Sequence, residues 1–317
     1  MGNPALWIGF NLAVLLLLAL DLGVINRRAH EISIRAALVW SAVWVTLSLC
    51  FCLWIYSAHG REPALQFLTG YLIEKSLSVD NIFLFVLLFG YFGIAPRYQH
   101  RVLYWGILGA LVMRGAMIGL GTALISRFEW LLYLFGAFLL FAGARMFFQK
   151  DMKPQPERNP LVRAARKLFP VTNEARGQHL LVREEGRWAA TPLLLALLVI
   201  ESTDIAFALD SIPAVFSVTR DPFIVYTSNV CAILGLRAFY FLLAGVLPYF
   251  RYLGRGLAAV LVLVGLKMIC AKWVDVPTFA TLAGVAAMLT IATVASVLAA
   301  RRESSQKLAD TGRGTSA

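Results

Sequence analysis

Two stretches decide how this chain folds: Glu74-Lys-Ser-Leu-Ser-Val-Asp80-Asn81-Ile82, inside the apolar run 63–94, and Asp204-Ile-Ala-Phe-Ala-Leu-Asp210-Ser211-Ile212, inside the apolar run 189–219. Each has a carboxylate, a second carboxylate six residues on, then a small amide or hydroxyl and an isoleucine. Two apolar runs later comes Gly143-Ala-Arg145-Met146 in one case and Gly265-Leu-Lys267-Met268 in the other, and Arg114 and Arg237 occupy the runs between. Three features recurring in the same order indicate an internal repeat of three apolar runs.

The surrounding composition says what those runs are. Of 317 residues, 59% are apolar and only 15% charged, against about 25% charged in an ordinary soluble domain. A water-facing globule of this composition would expose large apolar patches, which excludes a soluble enzyme, and the same figures exclude collagen, coiled coil and disordered chains. Cys50, Cys52, Cys231 and Cys270 sit in apolar runs with no C-x-x-C pair, so neither a disulfide framework nor a zinc site is expected. A spanning helix needs about 20 mostly apolar residues. Nine such runs are present, near 4–25, 36–58, 63–94, 100–126, 129–148, 189–219, 222–248, 254–273 and 277–300. The first lacks a basic leader and reads as a mature span rather than a signal peptide.

Positive charge tests the count. Alternate connections between nine spans fall on opposite sides, and they carry 20 Lys/Arg on one side against 4 on the other. By the positive-inside rule, the N-terminus lies outside and the C-terminus in the cytoplasm. The net charge of +11 is thus a topology signal, with no nucleic-acid footprint. The expected fold is an all-α polytopic membrane protein, residues 1–303, with spans 3–5 repeated in inverted orientation as spans 6–8. The basic cytoplasmic connection 149–188 includes Leu161, Val162, Ala165, Leu168 and Phe169 alternating with Arg163, Arg166 and Lys167. That pattern suits either a short helix on the anionic inner leaflet of the bilayer or a solvated linker. Residues 304–317 read as a disordered cytoplasmic tail.

Eleven ionisable residues fall within spans: Asp21, Glu74, Asp80, Glu201, Asp204, Asp210, Lys75, Arg114, Arg145, Arg237 and Lys267. At mid-span each costs about 2.5–3.5 kcal/mol. Ion pairs locking helices together are one reading. The clustering of the acids in matched motifs favours the other, a polar site at the interface of inverted repeats. Pro213 and the 32-residue length of span 3 predict that spans 3 and 6 unwind near Asp80 and Asp210, freeing carbonyls to join the carboxylates. Carboxylates, amide, hydroxyls and carbonyls are hard donors suited to Mg, Ca or Mn. His30, His59, His100 and His179 lie in loops or at span edges and contribute nothing. Asp80, Asp204 and Asp210 would exchange a divalent cation for protons, with Arg114 and Arg237 as counter-charges in the empty state. Neither a nucleophile–base pair nor a cofactor loop accompanies them, so no enzyme activity and no cofactor are expected.

The two acidic stretches, extended as Glu201-Ser-Thr-Asp204 and Ser211-Ile212-Pro213-Ala214, together with Thr219–Asn229, Leu-Gly-Leu-Arg237 and Asp21-Leu-Gly, resemble the TerC family of integral membrane proteins, closest to its Alx-like branch. The resemblance covers roughly 10–300. It implies a bacterial inner-membrane protein connected with manganese export and tellurium resistance, and it selects Mn²⁺ where the ligand set does not. Carried onto this chain, it implies Asp80, Asn81, Asp204 and Asp210, with Ser211, as metal-binding, and Glu74, Glu201 and Asp21 as second choices that line the path or pair with bases. Export of Mn²⁺ coupled to protons is the expected function. A tellurium-resistance or stress-related scaffold, docking partners through 149–188, is the alternative, and oxyanion transport on Arg114, Arg145 and Arg237 a third.

Overall fold

The computed structural model describes residues 4–20, 33–128, 130–148, 157, 159–172, 177–184, 187–244, 252–271, 273–274 and 276–313. Among them the chain forms α1 (Pro4–Leu20), α2 (Ile34–His59), α3 (Arg61–Tyr91), α4 (Pro96–Arg127), α5 (Leu131–Phe148), α6 (Pro160–Leu168), β1 (Leu181–Glu184), β2 (Arg187–Ala190), α7 (Pro192–Phe216), α8 (Pro222–Leu234), α9 (Leu236–Ala244), α10 (Leu253–Cys270) and α11 (Thr278–Arg313). Helix starts follow local chemistry. Proline occupies the first turn of α4, α6, α7 and α8, where its missing N–H costs nothing. Ser33, Asn159 and Asp221 cap α2, α6 and α8 by accepting hydrogen bonds from first-turn amides.

Large apolar side chains such as Leu16, Leu53, Val112, Phe141 and Ile291 face outward, as a lipid-facing surface requires. Five helices are long and apolar enough to cross a membrane (α2, α4 to Ile125, α5, α7 and α11 to Ala299), and α8 with α9 makes a sixth, bent by 44°. The remaining three predicted spans are occupied by α1 at 17 residues, α3 with five charged residues and α10 with Arg255 and Lys267.

In lipid, helices associate through close packing at small residues. The pair α5 and α10 illustrates this: a Cβ on Gly136 would lie 3.1 Å from the Gly265 carbonyl, and one on Gly143 2.9 Å from that of Ala258. Glycine 136 meeting 265 while 143 meets 258 makes the two helices antiparallel. Elsewhere α3 packs on α8 and α4 on α7, with α3 and α7 in contact between them.

Three expectations are corrected. Spans 3 and 6 do not unwind: α3 is continuous over 31 residues and α7 over 25. Pro213 lies in the last turn of α7, where losing one backbone hydrogen bond leaves the body of the helix intact. The break falls instead at Gly235 between α8 and α9. A Cβ there would come within 3.0 Å of the Trp44 Cβ and 3.2 Å of the Lys75 ammonium. Lys75 donates to the Ala232 carbonyl at 3.2 Å and lies over the Phe239 ring, so the carbonyl at the break is satisfied by a cation rather than by the next turn.

The connection before α7 is the second correction. Over its described part it is folded rather than a solvated linker. Helix α6 turns Val162 and Ala165 into the core shared with α3, α4 and α7, and Asn159 donates to the Ser202 hydroxyl. The hairpin β1–β2 follows, pairing Leu181 with Ala190, and Thr191 donates to the His179 carbonyl at 2.8 Å. Third, α11 runs on to Arg313, so the polar tail is helical to that point.

Candidate functional site

Glycines set how closely the central helices approach. Gly70 of α3 faces α8, where a Cβ would lie 2.8 Å from the Ser228 hydroxyl, and Gly106 of α4 faces Ile200 of α7. A Cβ at Gly109 would collide with the Glu201 carboxylate. These contacts sit about one turn from Glu74 on α3 and from Asp204 on α7, so the backbones close and the polar side chains meet between them.

Arg114 of α4 is the hub, only 2% exposed. Its guanidinium forms an ion pair with Glu74. It also grips Asp204 in a fork, Nε to Oδ2 at 3.1 Å and Nη2 to Oδ1 at 2.8 Å, the bidentate geometry that makes Arg–carboxylate pairs strong. Asn81 donates to Asp204 at 3.4 Å, and Arg114 to the Asn229 amide oxygen of α8 at 3.4 Å. Four helices thus contribute to one centre: α3, α4, α7 and α8. Glu74, Asn81, Asp204 and Asn229 are all buried. The arrangement holds two carboxylates against one guanidinium. Arg237, at the start of α9, lines a small enclosed cavity with Asp204, Phe85 and Leu103.

The centre is not saturated. Glu74 Oε2, Asn81 Oδ1, Asn229 Nδ2 and Ser211 Oγ are buried with no hydrogen-bond partner among the described residues. A buried polar atom left unpaired costs about 1–3 kcal/mol; Glu74 Oε2 and Asn81 Oδ1 are acceptors, whereas Asn229 Nδ2 is a donor.

The predicted residues therefore divide. Glu74, Asn81 and Asp204 meet. Ser211 is buried two turns along α7 from Asp204. Among the described residues Asp210 makes no ion pair with the centre: on the continuous α7, six residues at 3.6 per turn turn it about 120° from Asp204. Glu201 packs on Gly109 of α4. For Asp80 the backbone lies in α3, while its side chain, and the whole of Asp21, fall outside the described residues. Among the described residues no group of three His, Cys, Asp or Glu is placed to hold a metal ion. Asn229 is a member that sequence reasoning passed over. Its signal was an amide in an apolar run, eight residues before Arg237.

A multi-pass helical membrane protein built around a buried carboxylate–guanidinium centre is the class these observations define. The chain belongs to the TerC family of integral membrane proteins, whose family model matches residues 59–306. It is 52% identical over 95% of its length to an uncharacterized membrane protein of Myxococcus xanthus, covering 94% of that chain. It is 50% identical to a Salmonella typhi protein named "Putative membrane-bound redox modulator Alx", over 93% of this chain and 94% of that one. The protein of that name in Escherichia coli K12 is 48% identical, over 92% and 94% of the two chains. No solved structure matches.

Proposed function

We propose that this protein is a secondary transporter, not an enzyme, that exports a divalent metal from the cytoplasm, with Mn²⁺ as the preferred cargo and protons as the counter-ion. One observation carries the reading. Two acids from the two matched motifs, Glu74 and Asp204, share Arg114 in a buried centre, and the oxygens Glu74 Oε2 and Asn81 Oδ1 beside it have no partner among the described residues. A purely structural ion pair has no use for orphaned acceptors in lipid, whereas a hard cation supplies what they lack.

In this reading Arg114, which pairs with Glu74 and Asp204, is the counter-charge for these carboxylates when no cation is bound. An arriving cation takes oxygens from Glu74, Asn81 and Asp204, together with Asp80, and the guanidinium withdraws toward Asn229. Asp210, Ser211, Glu201 and Asp21 line the route. The choice of Mn²⁺ rests on the family resemblance. Nine spans with the N-terminus outside and the C-terminus in the cytoplasm of a bacterial inner membrane complete the proposal. Its inverted repeat pairs α3–α5 with α7–α10, and the pairings α3 with α8 and α4 with α7 are those a two-fold axis in the membrane plane would exchange.

The test is protection of cells against added manganese. Asp80→Asn and Asp204→Asn should abolish it at undiminished membrane abundance. Full protection by either well-expressed variant refutes the reading.

A further inference from the structure

Two crevices flank the charge centre, one toward each end of the bundle. The first, about 560 Å³, is lined by Trp7 and Asn11 of α1, Gly115, Ile118 and Thr122 of α4, and Pro222 and Tyr226 of α8. The second, about 470 Å³, lies between the end of α3, the start of α4 and the end of α9, with Phe89, Gln99 and Tyr240 in its wall. The first is one helical turn from the centre, and the second one turn from the small cavity that Asp204 lines. Arg114 lies four residues before Ile118 and Asn229 three after Tyr226. On the other side Arg237 and Leu103 border the Asp204 cavity, three residues before Tyr240 and four after Gln99.

A tyrosine crosses each crevice by the same device. Tyr226 donates to Asn11 Oδ1 at 2.7 Å, and the Asn11 amide nitrogen is fixed on the Trp7 carbonyl at 2.9 Å. Tyr240 donates to Gln99 Oε1 at 2.8 Å, and the Gln99 amide nitrogen is fixed on the Ile94 carbonyl at 3.1 Å. In both cases a backbone carbonyl holds the amide nitrogen, so the amide oxygen is presented to the phenol. Both tyrosines sit on the α8–α9 unit, on opposite sides of its bend at Gly235. A change in that bend moves the two phenols relative to their partners, which stand on other helices, α1 and α4.

We propose that Tyr226–Asn11 and Tyr240–Gln99 are the outer and inner latches of the transport path, and that the α8–α9 bend releases one while the other holds. Tyr226, Asn11, Tyr240 and Gln99 are positioning residues: they govern which face of the centre meets water and do not ligate the cation. The proposal rests on the transporter reading, and α1, which lies outside the family-matched 59–306, becomes the outer wall of the path. One neutral hydrogen bond biases a two-state equilibrium about two- to tenfold, enough for a latch and too little for a permanent lock.

Thiol reactivity tests it without any metal. In a chain with Cys50, Cys52, Cys231 and Cys270 replaced by alanine, a reporter is placed behind each latch. Gly115→Cys sits under the Tyr226 ring, where a Cβ has ordinary contact at 3.5 Å. Ala110→Cys lies in the Asp204 cavity. Each is modified with a charged, membrane-impermeant methanethiosulfonate, added from one side of the membrane or the other. Tyr226→Phe should raise the Gly115→Cys rate from outside about two- to tenfold, with the Ala110→Cys rate from inside unchanged or lower. Tyr240→Phe should do the reverse. Asn11→Ala and Gln99→Ala break the same bonds from the other partner and must reproduce each result, which covers a tyrosine variant that fails to elute as a monodisperse peak. Unchanged rates in both pairs, or equal rises at both reporters, overturn the latches. Labelling that behaves as expected in a protein that moves no Mn²⁺ would instead remove the cargo assignment.

Discussion

Replacing Arg114 by glutamine removes the charge on which the centre is built. Arg114 is 2% exposed, and it makes an ion pair to Glu74, a two-pronged grip on Asp204 and a hydrogen bond to Asn229. Glutamine keeps part of the volume and one amide but leaves two carboxylates facing each other in an apolar interior. Breaking a buried pair by removing one partner costs about 3–5 kcal/mol, because the stranded charge has no compensation. In a chain of this size that lowers the melting temperature by on the order of 10 °C. The assay is thermal unfolding of the purified protein in detergent, followed by intrinsic tryptophan fluorescence. The double variant Arg114→Gln/Glu74→Gln removes one of the stranded charges and should regain part of the loss. Added Mn²⁺ replaces the missing positive charge, so it should stabilise Arg114→Gln more than wild type, as ligand linkage to the folded state requires. An Arg114→Gln protein that melts with the wild type, with or without metal, refutes the reasoning.

Other expectations follow from the packing. Gly143→Val drives a branched side chain against the Ala258 backbone carbonyl, 2.9 Å from where a Cβ would lie, and should cost about 1–3 kcal/mol by overpacking, read as a lower melting temperature. Asp210→Asn, one-third of a turn off the centre, should weaken manganese protection less than Asp204→Asn at equal abundance. Val162→Asp puts an unpaired charge into the core that receives α6 and should make the 157–191 region sensitive to protease in membranes. Reversing Arg163 and Lys167 on its outward face should leave that protease pattern unchanged.

Composition made the helical, membrane-embedded character of the chain legible. Most apolar runs coincide with helices to within a few residues, since the lipid requirement writes length and hydropathy directly into the chain, but α11 runs on to Arg313, well beyond the run near 277–300. The Glu74 and Asp204 motifs and Arg114 were visible because ionisable residues are scarce in spans and stand out. What failed was any inference about continuity. Pro213 suggested a break that α7 does not have, because proline close to a helix end disrupts little. The real break at Gly235 carried no proline, only a glycine whose missing Cβ makes room for Trp44 and Lys75. Asn229 was passed over because an amide in an apolar helix looks neutral until its partner Arg114 is seen. The hairpin was hidden by charge: Leu181–Glu184 and Arg187–Ala190 flank a Glu-Gly pair, a turn signal masked by the basic character of the whole connection. The apolar positions of α6 were legible, but hydropathy alone does not distinguish a lipid leaflet from the protein's own core as what covers them.

Purified protein reconstituted into liposomes, with a manganese-sensitive dye inside and a proton gradient imposed across the bilayer, tests the central claim most directly. Wild type is expected to carry Mn²⁺ at a rate that responds to the gradient, and Asp204→Asn to carry none. Flux indistinguishable from protein-free liposomes, or equal flux through Asp204→Asn, would contradict the account.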